Sequence, residues 1–134
     1  MNELSQKSKN QSKTDDYYEG RIASQKRELK KLISTHECRL LEKYDVVMIN
    51  ESLVDATRCK QFETILSLTR FLSKKSWLTL TRDDIDNLIS NVMRTYSDND
   101  KETNTTYDHK KILKIFFRWL KLDSRSFRDI GNLP

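Results

Sequence analysis

Apolar residues return at helical spacing in four stretches of this chain. Leu40, Tyr44, Val47 and Met48 line one side of a helix expected from about His36 to Asn50. Phe62, Ile65, Leu66, Thr69 and Leu72 form the stripe of a second helix over 53–72, with Ser52 placed to cap it. The opposite face of that helix carries Thr57, Lys60, Thr64 and Ser67, small polar groups with one cation. Residues 73–76 are expected as a loop, and Trp77, Leu78 and Leu80 as a return to the core. Thr81 then opens a third helix. Its hydroxyl can hold an orphan amide, and Asp83 and Asp84 suit the positive end of the helix dipole. Ile85, Leu88, Ile89, Val92 and Met93 form the stripe of this helix. A charged loop from Tyr96 to Glu102 leads into Thr103–Thr106, the expected start of a fourth helix.

The fourth helix is the most strongly two-faced. Wound at about 100° per residue, Ile112, Leu113, Phe116, Trp119 and Leu120 fall on one side. Lys110, Lys111, Lys114, Arg118 and Lys121 fall on the other, within about 100° of arc, with Tyr107 among them. One face demands a core. The other offers cations beside an aromatic, with only Asp108 and Asp123 nearby as acids. A surface helix selected for solubility alone interleaves Glu for intrahelical pairs, and this one does not.

The flanks differ from this body. Residues 1–19 are rich in Ser, Lys, Asn and Gln and are expected as a disordered tail. Residues 20–35 form a basic helical extension with a narrow stripe at Ile22, Leu29, Leu32 and Ile33. That stripe fits a free-standing helix, a coiled-coil start or the beginning of a longer helix. Residues 123–134 have the character of a linker.

Composition agrees with a helical reading. Two Gly and one Pro in 134 residues leave little for the tight turns of a β-rich fold. The net charge of +5 is concentrated. Residues 104–128 hold seven Lys or Arg against two Asp, residues 20–35 hold five against one Glu, and the span between is close to balanced. No apolar run reaches membrane-spanning length, so no membrane partner is expected, and the chain is expected to be cytoplasmic. Cys38 and Cys59 are expected as reduced thiols on apolar faces, and the sequons at Asn10, Asn50 and Asn104 as chance matches.

Catalytic motifs are scarce. Two His and two Cys, widely spread, give no zinc spacing, and no metal or other cofactor is expected. His109 falls on the apolar side of its helix and is expected as a core or boundary residue. Gly20 and Gly131 cannot make a phosphate loop.

Several segments resemble one family in order and spacing. Leu80-Thr81-Arg82-Asp83-Asp84-Ile85 is followed by Thr106-Tyr107-x-x-Lys110-x-x-Leu113-x-x-Phe116-Phe117-Arg118-Trp119-Leu120. Upstream stand Ser52-x-x-x-Ala56-Thr57 and Leu66-x-x-x-x-Phe71-Leu72, and Tyr96-Ser97-Asp98 lies between. Over residues 36–122 the chain resembles the N-terminal, SAM-like core-binding domain of tyrosine recombinases, the phage-integrase family, and its archaeal members most. The resemblance implies an all-α, four-helix bundle that forms half of a clamp on double-stranded DNA at a recombination site. Its second and fourth helices would face the major groove. Carried over by position, the contacts would be Thr57, Lys60, Gln61 and Thr64, then Thr103, Thr106, Tyr107, Lys110, Lys111, Lys114 and Arg118. The cations would hold phosphates while Thr, Gln and Tyr reach base edges.

Catalysis in that family belongs to a following domain with an early Arg, a Lys, a His-x-x-Arg box and a late nucleophilic Tyr. The match at His36-Glu37-Cys38-Arg39 falls at the very start of the core-binding segment, in the wrong order and the wrong helix. The expected function is therefore DNA binding within site-specific recombination or integration, with no strand cleavage by this chain. A full-length recombinase or a second copy of the chain is a further possible partner. The alternative is a helical protein-interaction or regulatory module, for instance a competitor of a full recombinase.

Overall fold

The computed structural model describes residues 17–99 and 101–122. The expected linker at 123–134 lies outside the described residues. So does the expected tail, apart from residues 17–19, which are helical. The described chain is all-helical. Helix α1 covers residues 17–30. It is followed by α2 (Thr35–Asn50), α3 (Asp55–Phe71), a 3₁₀ turn (Trp77–Thr79), α4 (Arg82–Tyr96) and α5 (Asn104–Lys121). No β-strand occurs among the described residues, where a single isolated bridge joins Asp98 to Lys101.

Local chemistry sets the helix starts. Ser34 caps α2 in a reciprocal box: its hydroxyl accepts from the Glu37 N–H at 3.2 Å, and Glu37 Oε1 accepts from the Ser34 N–H at 3.3 Å. Glu37 is buried, and its other oxygen accepts from the Trp77 N–H at 3.1 Å, so one carboxylate joins the start of α2 to the 3₁₀ turn. Thr81 caps α4 as its position predicts, in a box with Asp84. Lys75 and the Thr81 N–H both bond the Asp84 carboxylate and hold its pKa down at about 2.

Ser52 departs from its expected role. The N-cap of α3 is Val54, with no side-chain hydrogen bond. Ser52 instead closes α2 with a φ of 64°, donating to Ile49 O at 3.0 Å while Leu53 N donates to Met48 O at 3.0 Å. This is a Schellman termination, with Ser where glycine is favoured. The chain has almost no glycine, so its reversals fall on other residues: Ser73, Lys74 and Asn99 also adopt positive φ. Leu78, expected in the core, is 40% exposed, because the 3₁₀ turn directs Trp77 inward and leaves its neighbour outside.

Helix α5 lies at the centre of the packing, against α3, α4 and the 3₁₀ turn. Tyr44 of α2 meets Phe116 and Trp119 edge-on at 5.0 and 5.1 Å, and Trp77 meets Phe116 at 5.1 Å. All four rings are buried. Each such pair contributes about 0.5–1.5 kcal/mol beyond simple burial. The Tyr44 hydroxyl donates to Gln61 Oε1 at 3.0 Å, and burial pushes its pKa up.

Helix α1 belongs to the same core. Ile22 and Leu29 are each 1% exposed and join the main cluster, Ile33 packs against it, and Leu32 remains outside. The stripe seen in residues 20–35 is thus largely covered within the chain. A buried ion network fixes α1 further. The Arg58 guanidinium, on α3, grips Asp45 of α2 through Nε and Nη2 at 2.8 and 2.9 Å. Its Nη1 reaches Glu19 and Asp55, both at 2.9 Å. Lys26 of α1 bonds Asp45 at 2.8 Å and Glu42 at 3.0 Å. Burial pushes the Asp45 carboxyl up, but the bonds from Arg58 and Lys26 outweigh it and hold the pKa below the ordinary value.

Removing one partner of a buried pair leaves the other charge uncompensated, so Asp45→Asn lowers unfolding free energy by about 3–5 kcal/mol in urea titration. The Asp45 pKa is depressed on folding. Its contribution is therefore present above about pH 4 and lost as pH falls through the lower folded value, and the variant loses that part of the acid dependence. At Ser52 the positive φ predicts that Ser52→Gly stabilises by about 0.5–1 kcal/mol, read as a rise in melting temperature.

Candidate nucleic-acid interface

Helix α5 starts at Thr103. Thr103 Oγ1 accepts from the Thr106 N–H at 3.3 Å, Thr106 Oγ1 accepts from the Thr103 N–H at 2.9 Å, and the Thr103 hydroxyl donates to Tyr96 O at 2.9 Å. Thr106 is fully buried and Thr103 half-buried. Both hydroxyls are engaged in starting the helix and tying it to the end of α4.

One turn on, His109 locks the rotation of α5. Its Nδ1 lies 2.8 Å from Thr105 O and its Nε2 lies 2.9 Å from Ser67 Oγ on α3. A ring nitrogen facing a carbonyl is the donor, so Nδ1–H gives to Thr105 O while Nε2 faces the Ser67 hydroxyl. The Tyr96 ring covers His109 at 5.0 Å, and Ser67 Oγ lies 3.3 Å from the Tyr96 hydroxyl. His109 is 5% exposed, the core position its place on the wheel predicts.

With the inner face held at Ile112, Leu113, Phe116 and Trp119, the opposite face meets solvent. Tyr107, Lys111, Lys114, Arg118 and Lys121 are exposed along it. Lys110 is half-buried and pairs with Glu102 at 2.6 Å. Lys121 rests over the Phe117 ring at 5.1 Å. Among the described residues, Lys111, Lys114 and Arg118 have no acidic partner. On α3, Thr57 and Lys60 are exposed, and Lys60 Nζ lies 4.0 Å from Asp108 of α5. That contact brings the cation of α3 beside the N-terminal half of the α5 stripe.

Three expected contact residues lie inside. Gln61 is buried and accepts from Tyr44. Thr64 is 1% exposed, and its hydroxyl has no partner among the described residues. Thr106 belongs to the helix cap. Gln61 and Thr64 face the bundle because α3 is covered by the other helices on several sides, so its buried arc extends past the stripe that its large apolar residues mark. The surface set is therefore Thr57, Lys60, Tyr107, Lys111, Lys114 and Arg118, with Lys110 and Thr103 at its border.

The residues at 36–39 have no part in this surface. His36 and Arg39 are exposed on the first turns of α2, where Glu37 faces inward to Trp77. Among the described residues no group of three or more His, Cys, Asp or Glu side chains is arranged to hold a metal ion, and no described helix is long and apolar enough to cross a membrane. Comparison with protein-family models, with curated proteins and with solved structures finds no match to this chain.

Sequence reasoning passed over Phe117. It lies at the edge of the α5 apolar arc, next to Lys110 and Lys114, and is only half-buried. An aromatic one step outside the buried arc was the available signal.

Because Thr103 caps α5, Thr103→Ala is expected to cost about 1 kcal/mol in chemical denaturation, with the loss appearing first as faster amide exchange in the opening turn of α5.

Proposed function

We propose that this chain binds double-stranded DNA as a core-binding module of the tyrosine-recombinase type, serving DNA integration or recombination by binding alone. The observation that carries the reading is the outward stripe of α5. Lys111, Lys114 and Arg118 stand exposed and without acidic partners among the described residues, with Tyr107 alongside. Cations held on a rigid helix are suited to phosphates, since neutralising each phosphate releases a condensed counterion. Lys60 and Thr57 on the neighbouring α3 extend the surface toward a second contact line, as the family resemblance implies. Tyr107 can hydrogen-bond a phosphate or pack on sugar and base. In this role the chain is a DNA-occupying protein of the nucleoid, able to act beside a full-length recombinase or a second copy of itself. Strand cleavage has no place in the proposal.

Fluorescence anisotropy of a labelled duplex tests it. If about five phosphates are neutralised, affinity falls with salt at a log–log slope of roughly −4 to −5. Lys114→Glu and Arg118→Glu weaken binding on all sequences alike. Thr64→Val, inside the bundle, leaves it unchanged. Absence of duplex binding at low salt, or full affinity in both charge-reversal variants, would overturn the reading.

A further inference from the structure

Beside the cationic stripe runs a groove of different chemistry. Between α4 and α5 lies an open cleft of about 410 Å³ floored by Ile85, Ile89, Leu113 and Phe117. Lys110, Lys114 and Arg118 rim it on the α5 side. The floor is almost entirely apolar, which a nucleic-acid backbone has no use for. Ile85, Ile89 and Phe117 are half-buried, covered on the core side and open toward the groove.

We propose that this groove takes an acidic amphipathic helix from a partner protein. The apolar residues of the partner, at helical spacing, would lie on Ile85, Ile89, Leu113 and Phe117, and its carboxylates would meet Lys110, Lys114 and Arg118. Charge complementarity selects this occupant. Lys110 and Arg118 lie eight residues apart, about 12 Å along α5, which matches two to three turns of a docked helix. The segments of this chain outside the described residues do not fit. Residues 1–16 hold three Lys against one Glu and two Asp, and residues 123–134 hold two Arg against two Asp, so neither brings an acidic surplus. The inference goes beyond the DNA reading: Lys114 and Arg118 belong to both surfaces, but the groove floor belongs to this one alone and Lys111 to the DNA stripe alone, so substitutions at Ile89 and Lys111 separate the two.

The probe is a labelled synthetic helix with Leu at helical spacing and Glu along its flanks. Its control is a scrambled peptide of the same composition, and a labelled duplex is titrated in parallel. The helical peptide is expected to bind the full chain and the scrambled one to bind at least about tenfold more weakly. Ile89→Glu weakens the peptide about tenfold or more and leaves duplex affinity within about twofold, whereas Lys111→Glu does the reverse. Amide shifts of the unmodified chain, read by NMR during the peptide titration, report the same surface without any variant and should centre on Ile85, Ile89, Leu113 and Phe117. Equal binding of helical and scrambled peptides, shifts centred elsewhere, or self-association of the chain that Ile89→Glu abolishes would overturn the proposal.

Discussion

The packing of Tyr44, Trp77, Phe116 and Trp119 is the constraint on which the rest of this structure depends. These rings come from α2, the 3₁₀ turn and α5, and they meet edge-on at about van der Waals separation. A helix anchored by one bulky ring can still roll about its axis. Phe116 and Trp119 stand one turn apart on α5, and each meets a ring from outside the helix, so rolling would break two contacts at once. His109, bonded to Ser67 two turns earlier, adds a directional lock at the other end. The outward direction of Lys111, Lys114 and Arg118 follows from these inner contacts. No surface interaction is needed to aim them.

Charges in this chain divide by whether a partner lies within reach. Arg58 and Lys26 sit where α1, α2 and α3 converge, and both are bonded to Asp45. There the guanidinium is 4% exposed, and an unpaired charge would be prohibitive. On α5 the reverse holds: the exposed cations are in water, their desolvation is small, and among the described residues only Lys110 has a carboxylate partner, Glu102. The net charge of the chain therefore accumulates on a face where it costs little desolvation and only the weak, solvent-screened repulsion of neighbouring cations. Potential from such a face extends roughly a Debye length, about 8 Å at physiological salt, which suits encounter with a polyanion.

The fold was legible where periodicity and capping agreed. The Thr81 and Thr103 starts, the stripes of α3 and α5 and the inward place of His109 all follow from spacing and side-chain chemistry. Other features depend on tertiary neighbours and left weaker traces. Gln61 and Thr64 are polar residues on the side of α3 that local periodicity leaves open, yet they are covered because the other helices pack round it. Glu37 and Asp45 are acidic residues in an amphipathic pattern, and their burial depends on Trp77 and Arg58, which are distant in sequence. Ser52 could equally end one helix or begin the next, and backbone closure of α2 decided it.

The groove beside α5 follows from how α4 is tethered. At one end the Tyr96 ring lies tilted against His109 and its backbone carbonyl accepts from the Thr103 hydroxyl, and at the other Thr81 leaves the 3₁₀ turn whose Trp77 is locked against Phe116. Leu88 and Val92 fill the space between the tethers on the core side. Ile85 and Ile89 lie about 60° further round α4, and Leu113 and Phe117 occupy the corresponding edge of α5. The apolar arcs of the two helices are thus wider than the contact between them. Full burial would require α4 to roll toward α5, withdrawing Leu88 and Val92 from the core. Two fully buried side chains outweigh two half-buried ones by area, so the helices stay where they are and the edge stays open.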